Sequence, residues 1–150
     1  MRIDPTAPAL AKHYQTIITE RLGLPATIDG DLDVVVPFAG SHLVLRNTAP
    51  DLCYLQMTGA WQLPHELGLE ALKILATTLN ERFKVAKVHA MPDASQVVVS
   101  AELFLAGPGQ LPHPDLVAAV LPRVLTIVLE AAHEALQIAL LEAGLNTSPS

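Results

Sequence analysis

DLDVVVPFAGSHLVLRNTAPDLCYLQMTGAWQL, residues 31–63, alternates apolar and polar residues three times over. In 31–38, Leu32, Val34, Val36 and Phe38 fall on one side of an extended chain, and in 41–47 Leu43 and Leu45 do the same. In 52–63, Cys53, Leu55, Met57, Gly59 and Trp61 share one face while Tyr54, Gln56 and Thr58 take the other. Successive side chains of a strand point to opposite faces, so a period of two marks a strand that buries one side. Ala39-Gly40 and NTAPD (47–51) are short connections, and short connections join antiparallel neighbours. The stretch predicts a three-strand antiparallel meander. Pro37 has no N–H to give to a ladder, so the first strand is expected at an edge or ending there.

Helical spacing flanks the meander. Upstream, residues 6–22 carry Leu10, Tyr14, Ile17 and Ile18 as an amphipathic stripe. Thr6 is placed to cap this helix, Pro8 sits in its first turn, and Gly23 and Pro25 end it. Downstream, Pro64 predicts the opening of a second helix over 65–83. Glu66 in its first turn, and Arg82 and Lys84 at its end, suit the helix dipole. Leu72, Leu75, Ala76, Leu79 and Phe83 form one stripe of it, and Leu67, Ala71, Ile74 and Thr78 a second. Residues 84–106 then predict a hairpin turning at PDAS (92–95), and Pro114 with Asp115 starts a last helix. The order α-β-β-β-α-β-β-α predicts an α+β fold: an antiparallel sheet of about five strands with three helices packed on it. One domain over 1–150 is expected, with flexible tails at 1–5 and 146–150.

The last helix has the longest apolar reach, LVAAVLPRVLTIVLEAAHEALQIALLEAGL (116–145). At 1.5 Å per residue it would run about 45 Å, against a radius of gyration near ~15 Å for a domain of this size. Pro122 is expected to kink it or to start a new helix. Arg123, Glu130, Glu134 and Glu142 exclude a simple membrane span, since each central charge costs about 2.5–3.5 kcal/mol to insert. Thr126, Glu130, His133, Glu134 and Gln137 fall within a sector of roughly 100° and form a solvent stripe. The remaining arc is wider than packing on one sheet requires. It is expected to meet the sheet and also a neighbouring helix, a second subunit or a client.

Composition points the same way. Hydrophobic residues make up 51% of the chain and charged ones 16%, fewer charges than the roughly 25% of an average domain. Such a surface favours an oligomer or a partner-binding protein. A net charge of -6 with nine Lys and Arg argues against nucleic acid and acidic membranes as partners. Lys73, Arg82, Lys84 and Lys87 are the densest basic group, and they flank a helix end. A single cysteine leaves no disulfide framework, and MRIDPTAPALAKHY lacks a signal-peptide core, so a cytoplasmic protein is expected.

No motif spells out a reaction. HEALQ (133–137) differs from the zinc motif H-E-x-x-H by Gln137, a poor zinc ligand. The six His, at 13, 42, 65, 89, 113 and 133, form no sequence cluster. Cys53 lies mid-strand beside Leu52 and Leu55, as a buried small residue would. GPG (107–109) lacks the Lys-Ser/Thr of a phosphate loop, and DGDLD (29–33) lacks the following Glu of a calcium loop. No cofactor and no metal is expected.

The segment LEALKILATTLNERFKVAKVHAMPDASQVVVSAELFL (69–105) resembles the YbjN family of bacterial sensory-transduction regulators, with Asn80, Phe83 and Lys87 at matching places. The element order is similar to that of class I type III secretion chaperones. The resemblance implies a small non-enzymatic α+β protein, a homodimer with chaperone-like protein binding. Self-association and a client protein are the partners expected. Trp61, Leu67, Ile74, Leu125 and Leu129 are the residues expected to carry the contact. The alternative is a small-molecule binder or enzyme with a pocket between helices and sheet, for which two or more of His42, His89 and His133 would have to converge.

Overall fold

The computed structural model describes residues 7–47, 52–64, 67–107 and 110–144. Thr6, His65, Glu66 and both tails lie outside them, as do most of the NTAPD turn and Pro108-Gly109 of the GPG loop. Among the described residues three helices lie on a six-stranded antiparallel sheet. Helix α1 spans Ala7–Leu22, α2 spans Leu69–Arg82 and α3 spans Pro114–Glu142. The strands are β1 (Thr27–Ile28), β2 (Val34–Phe38), β3 (Ser41–Arg46), β4 (Tyr54–Gln62), β5 (Lys87–Met91) and β6 (Gln96–Phe104), in the order β1-β2-β3-β4-β6-β5. The fold is α+β with one strand more than the alternation predicts. The extra strand, β1, has two residues, too few to show a period.

The meander pairs as its short turns require. Val34 faces Leu45 and Leu43 faces Gly59, which keeps the apolar sets of β2, β3 and β4 on one face. Ala39 and Gly40 both have positive φ, the two-residue geometry whose twist suits a hairpin. β1 reaches only Val34 and Val35, so β2 is an unpaired edge where Pro37 stands. A proline is tolerated there because no N–H is demanded of it. β6 returns beside β4 along nine residue pairs, from Tyr54–Phe104 to Gln62–Gln96. The hairpin turn at 92–95 contains a 3-10 turn, Pro92–Ala94.

All three helices cover the same sheet face. Leu43, Leu45, Leu55, Met57, Trp61, Val97 and Val99 are buried beneath them. The Trp61 ring lies over Gly59: a Cβ there would come 2.5 Å from the indole Cη2 and 2.8 Å from the His42 carbonyl. The indole N–H donates to the Phe38 carbonyl at 2.9 Å, and the Phe38 ring meets it edge-on.

α3 touches α1, α2 and β6, which accounts for its wide apolar arc. Val117, Leu121, Val124, Leu125 and Val128 are buried among these neighbours. The helix is long and apolar enough to cross a bilayer, but it forms the centre of the protein core here. It continues through Pro122, and no new helix starts there. Packing on three elements outweighs the one backbone hydrogen bond that the proline removes. α2 begins at Leu69 rather than at 65, with Gly68 as its N-cap and Glu70 as its first-turn acid.

Buried polar groups tie the elements together. Asp33 accepts from the Asn47 N–H at 2.9 Å, and Asn47 Nδ2 donates to the Ala7 carbonyl at 2.7 Å, joining the start of α1 to the meander. Asp29 Oδ1 accepts from the N–H groups of Asp31 and Asp33, so DGDLD is a turn stabilised by its own first residue. The Asn80 side chain donates to the Val88 carbonyl at 2.9 Å and accepts the Val88 N–H at 2.7 Å. It thus pairs with edge strand β5 as another strand would. Cys53 is buried, and its thiol points at the carbonyls of Gly107 and Gln110.

Candidate functional site

Among the described residues two surfaces stand out after the core closes. The first is the sheet face turned away from the helices. Val35, Val44, Tyr54, Thr58, Ala60, Val98 and Ser100 stand on it half-exposed, and Phe104 is 72% exposed. Tyr54 and Phe104 are cross-strand neighbours with ring centroids 5.3 Å apart. Arg46, Lys87 and Glu102 are its few charges. Glu102 accepts from Gln56 at 3.1 Å and also takes the Tyr54 hydroxyl bond, which holds that phenol above its ordinary value. Five strand spacings make the face about 24 Å wide, and β4 runs about 30 Å along it. That is comparable with the roughly 800 Å² per partner of a standard protein interface.

The second surface is a cleft of about 650 Å³ where the ends of α1 and α2, the β2–β3 hairpin and the middle of α3 meet. Leu22, Leu24, Phe38, Phe83 and Leu129 make its apolar walls. Thr126, Glu130, His133 and Glu134, from the solvent stripe of α3, make its polar side together with Arg82. Arg82 Nη1 lies 2.6 Å from Glu134 Oε1, and its guanidinium sits over the Phe83 ring at 5.9 Å.

The residues expected to carry partner contact are dispersed. Trp61 and Leu125 are enclosed in the chain's own core, and Leu129 is nearly so while lining the cleft. Leu67 is half-buried, and Ile74 stands 64% exposed on the outer side of α2. His42, His89 and His133 do not converge. His133 alone lines the cleft, whereas His42 and His89 lie on the uncovered sheet face, on strands separated by β4 and β6. Among the described residues no three His, Cys, Asp or Glu are grouped to hold a metal. Sequence reasoning missed the cleft because Arg82–Phe83 and Glu130–Glu134 are about fifty positions apart. The basic residue closing α2 and the wet stripe of α3 were each visible alone.

Three helices on one side of an antiparallel sheet, the other side open, define an α+β fold found in solved chaperone and regulator structures. A chain in the structure of the HopA1–SchA chaperone–effector complex superposes with a TM-score of 0.59 at 11% identity, covering 91% of this chain and 99% of that one. YbjN from E. coli, described as a candidate transcription regulator, superposes with a TM-score of 0.56 at 16% identity, covering 89% of this chain and 96% of that one. The likeness is one of fold. No family model matches the sequence, and no curated protein matches it.

Proposed function

We propose that the protein is a non-enzymatic protein-binding module, chaperone-like or regulatory, that works as a homodimer in the cytoplasm. The observation that carries the reading is the uncovered sheet face, broad and poor in charge. A second copy is the occupant that its area and composition suit. A two-fold contact uses the same patch on both copies, so it covers both faces at once. The chaperone–effector complex and YbjN, both similar in fold, support a binding role over a catalytic one.

Sedimentation equilibrium tests this directly. The parent chain is expected at twice its 16.0 kDa mass. Val44→Glu with Val98→Glu puts charge at the centre of the face, and is expected to give a monomer with unchanged circular dichroism. A parent that stays monomeric at 100 μM (about the upper range for a transient contact) would overturn the dimer.

A further inference from the structure

Resting on the protein-binding reading, we infer that the cleft takes an apolar client segment bearing a lysine or arginine. The walls are hydrocarbon and aromatic, and they suit two or three apolar side chains. The polar side holds two carboxylates, Glu130 and Glu134, against a single guanidinium. Glu134 is moreover one donor short. Arg82 meets its Oε1, while Oε2 is closed off and no donor among the described residues reaches it. A shielded carboxylate oxygen without a donor is costly, and a client cation that turns the carboxylate towards the cleft relieves that cost. Arg82 can make room, because its side chain is 65% exposed and that of Glu134 only 26%. A client ammonium or guanidinium would reach Glu134 and Glu130 while its apolar neighbours cover Phe83 and Leu129. An acidic segment would meet Arg82 but would leave two carboxylates facing its own charge. The chain's net charge of -6 adds a general attraction for basic segments, so the test must separate the cleft from that background.

The test uses the full chain and three fluorescein-labelled nonapeptides, Leu-rich with a central Lys, Gln or Glu, followed by fluorescence anisotropy. The Lys peptide is expected to bind at least about tenfold more tightly than the Gln peptide, the gain of one charge-assisted hydrogen bond. Glu134→Gln is expected to remove that preference. Glu70→Gln, which takes away an equal charge at the far end of α2, is expected to keep it. Thr126 is exposed, and Thr126→Arg places a cation in the cleft from the chain itself. It is expected to weaken the Lys peptide about tenfold or more, with an unchanged melting temperature showing that the fold is intact. Equal binding of the three peptides, no binding of any, or indifference to both Glu134→Gln and Thr126→Arg would each overturn the assignment. The dimer stands or falls separately on sedimentation, which none of these cleft variants is expected to alter.

Discussion

At the scale of single residues, the period-two pattern assigned most of the core but not Leu32, which lies in the turn before β2 with positive φ and outside the core. Leu43, Leu45, Leu55, Met57 and Trp61 are all buried on one face, as their spacing predicted. What the pattern could not convey is who meets whom. Gly59 occupies a core position with no side chain because the indole two residues on fills its space. Gly59→Ala is expected to cost about 1–3 kcal/mol, the usual penalty of overpacking, read from urea denaturation. Tyr14 is a second case. Burial, and secondarily Cys53, hold its phenol well above the ordinary value. The folded chain thus keeps a proton that the unfolded chain releases near its ordinary pKa of about 10. The contribution is complete below that pH and falls as pH rises past it, by up to about 1.4 kcal/mol per unit. Urea midpoints taken from pH 8.5 to 11 are expected to fall, and Tyr14→Phe is expected to flatten the decline.

At the scale of elements, helix existence was legible and helix surroundings were not. The apolar arc of α3 was expected to meet the sheet and also a neighbouring helix, a second subunit or a client, and much of it is spent on α1, α2 and β6 of the same chain. Width of an apolar stripe counts the neighbours a helix has, without saying whether they belong to it. The start of α2 was placed too early because Pro64 is well suited to open a helix, whereas the helix follows Gly68. Asn80 shows how a single side chain can act as an element. Both of its hydrogen bonds go to the Val88 backbone, so it fixes the angle between α2 and β5. Asn80→Ala is expected to lower stability by about 1–2 kcal/mol, with faster amide exchange at Val88 as the specific sign. Asn80→Asp keeps an acceptor but loses the donor, and is expected to fall between the two. The YbjN resemblance marked this position, although its chemistry became visible only with the strand beside it.

At the scale of the whole molecule, fold class and the order of its main elements followed from alternation and helical stripes. The uncovered sheet face was implicit in the alternation too, since Tyr54, Gln56 and Thr58 were assigned to the side away from the core. Its extent was hidden, because it depends on β6 lying between its sequence neighbour β5 and the distant β4. The cleft was illegible for a related reason: its walls come from α1, α2, α3 and the β2–β3 hairpin. The low share of charged residues led to the expectation of a partner surface without locating one. Only the three-dimensional arrangement separates an open sheet face from a charged cleft.

The nine-pair seam between β4 and β6 also sets how this chain reaches its native state. The meander and the β5–β6 hairpin are each local, and each can form early. The seam joins residues from 34 positions apart at Gln62–Gln96 to 50 apart at Tyr54–Phe104. Closing that span orders α2 and its flanks before the ladder repays the loss of entropy. Zippering should begin at the short-span end, near Gln62 and Gln96, and run towards the aromatic pair. Substitutions near Trp61 and Val97 are then expected to slow folding, and those near Leu55 and Leu103 chiefly to hasten unfolding, a gradient that stopped-flow kinetics along one strand can trace.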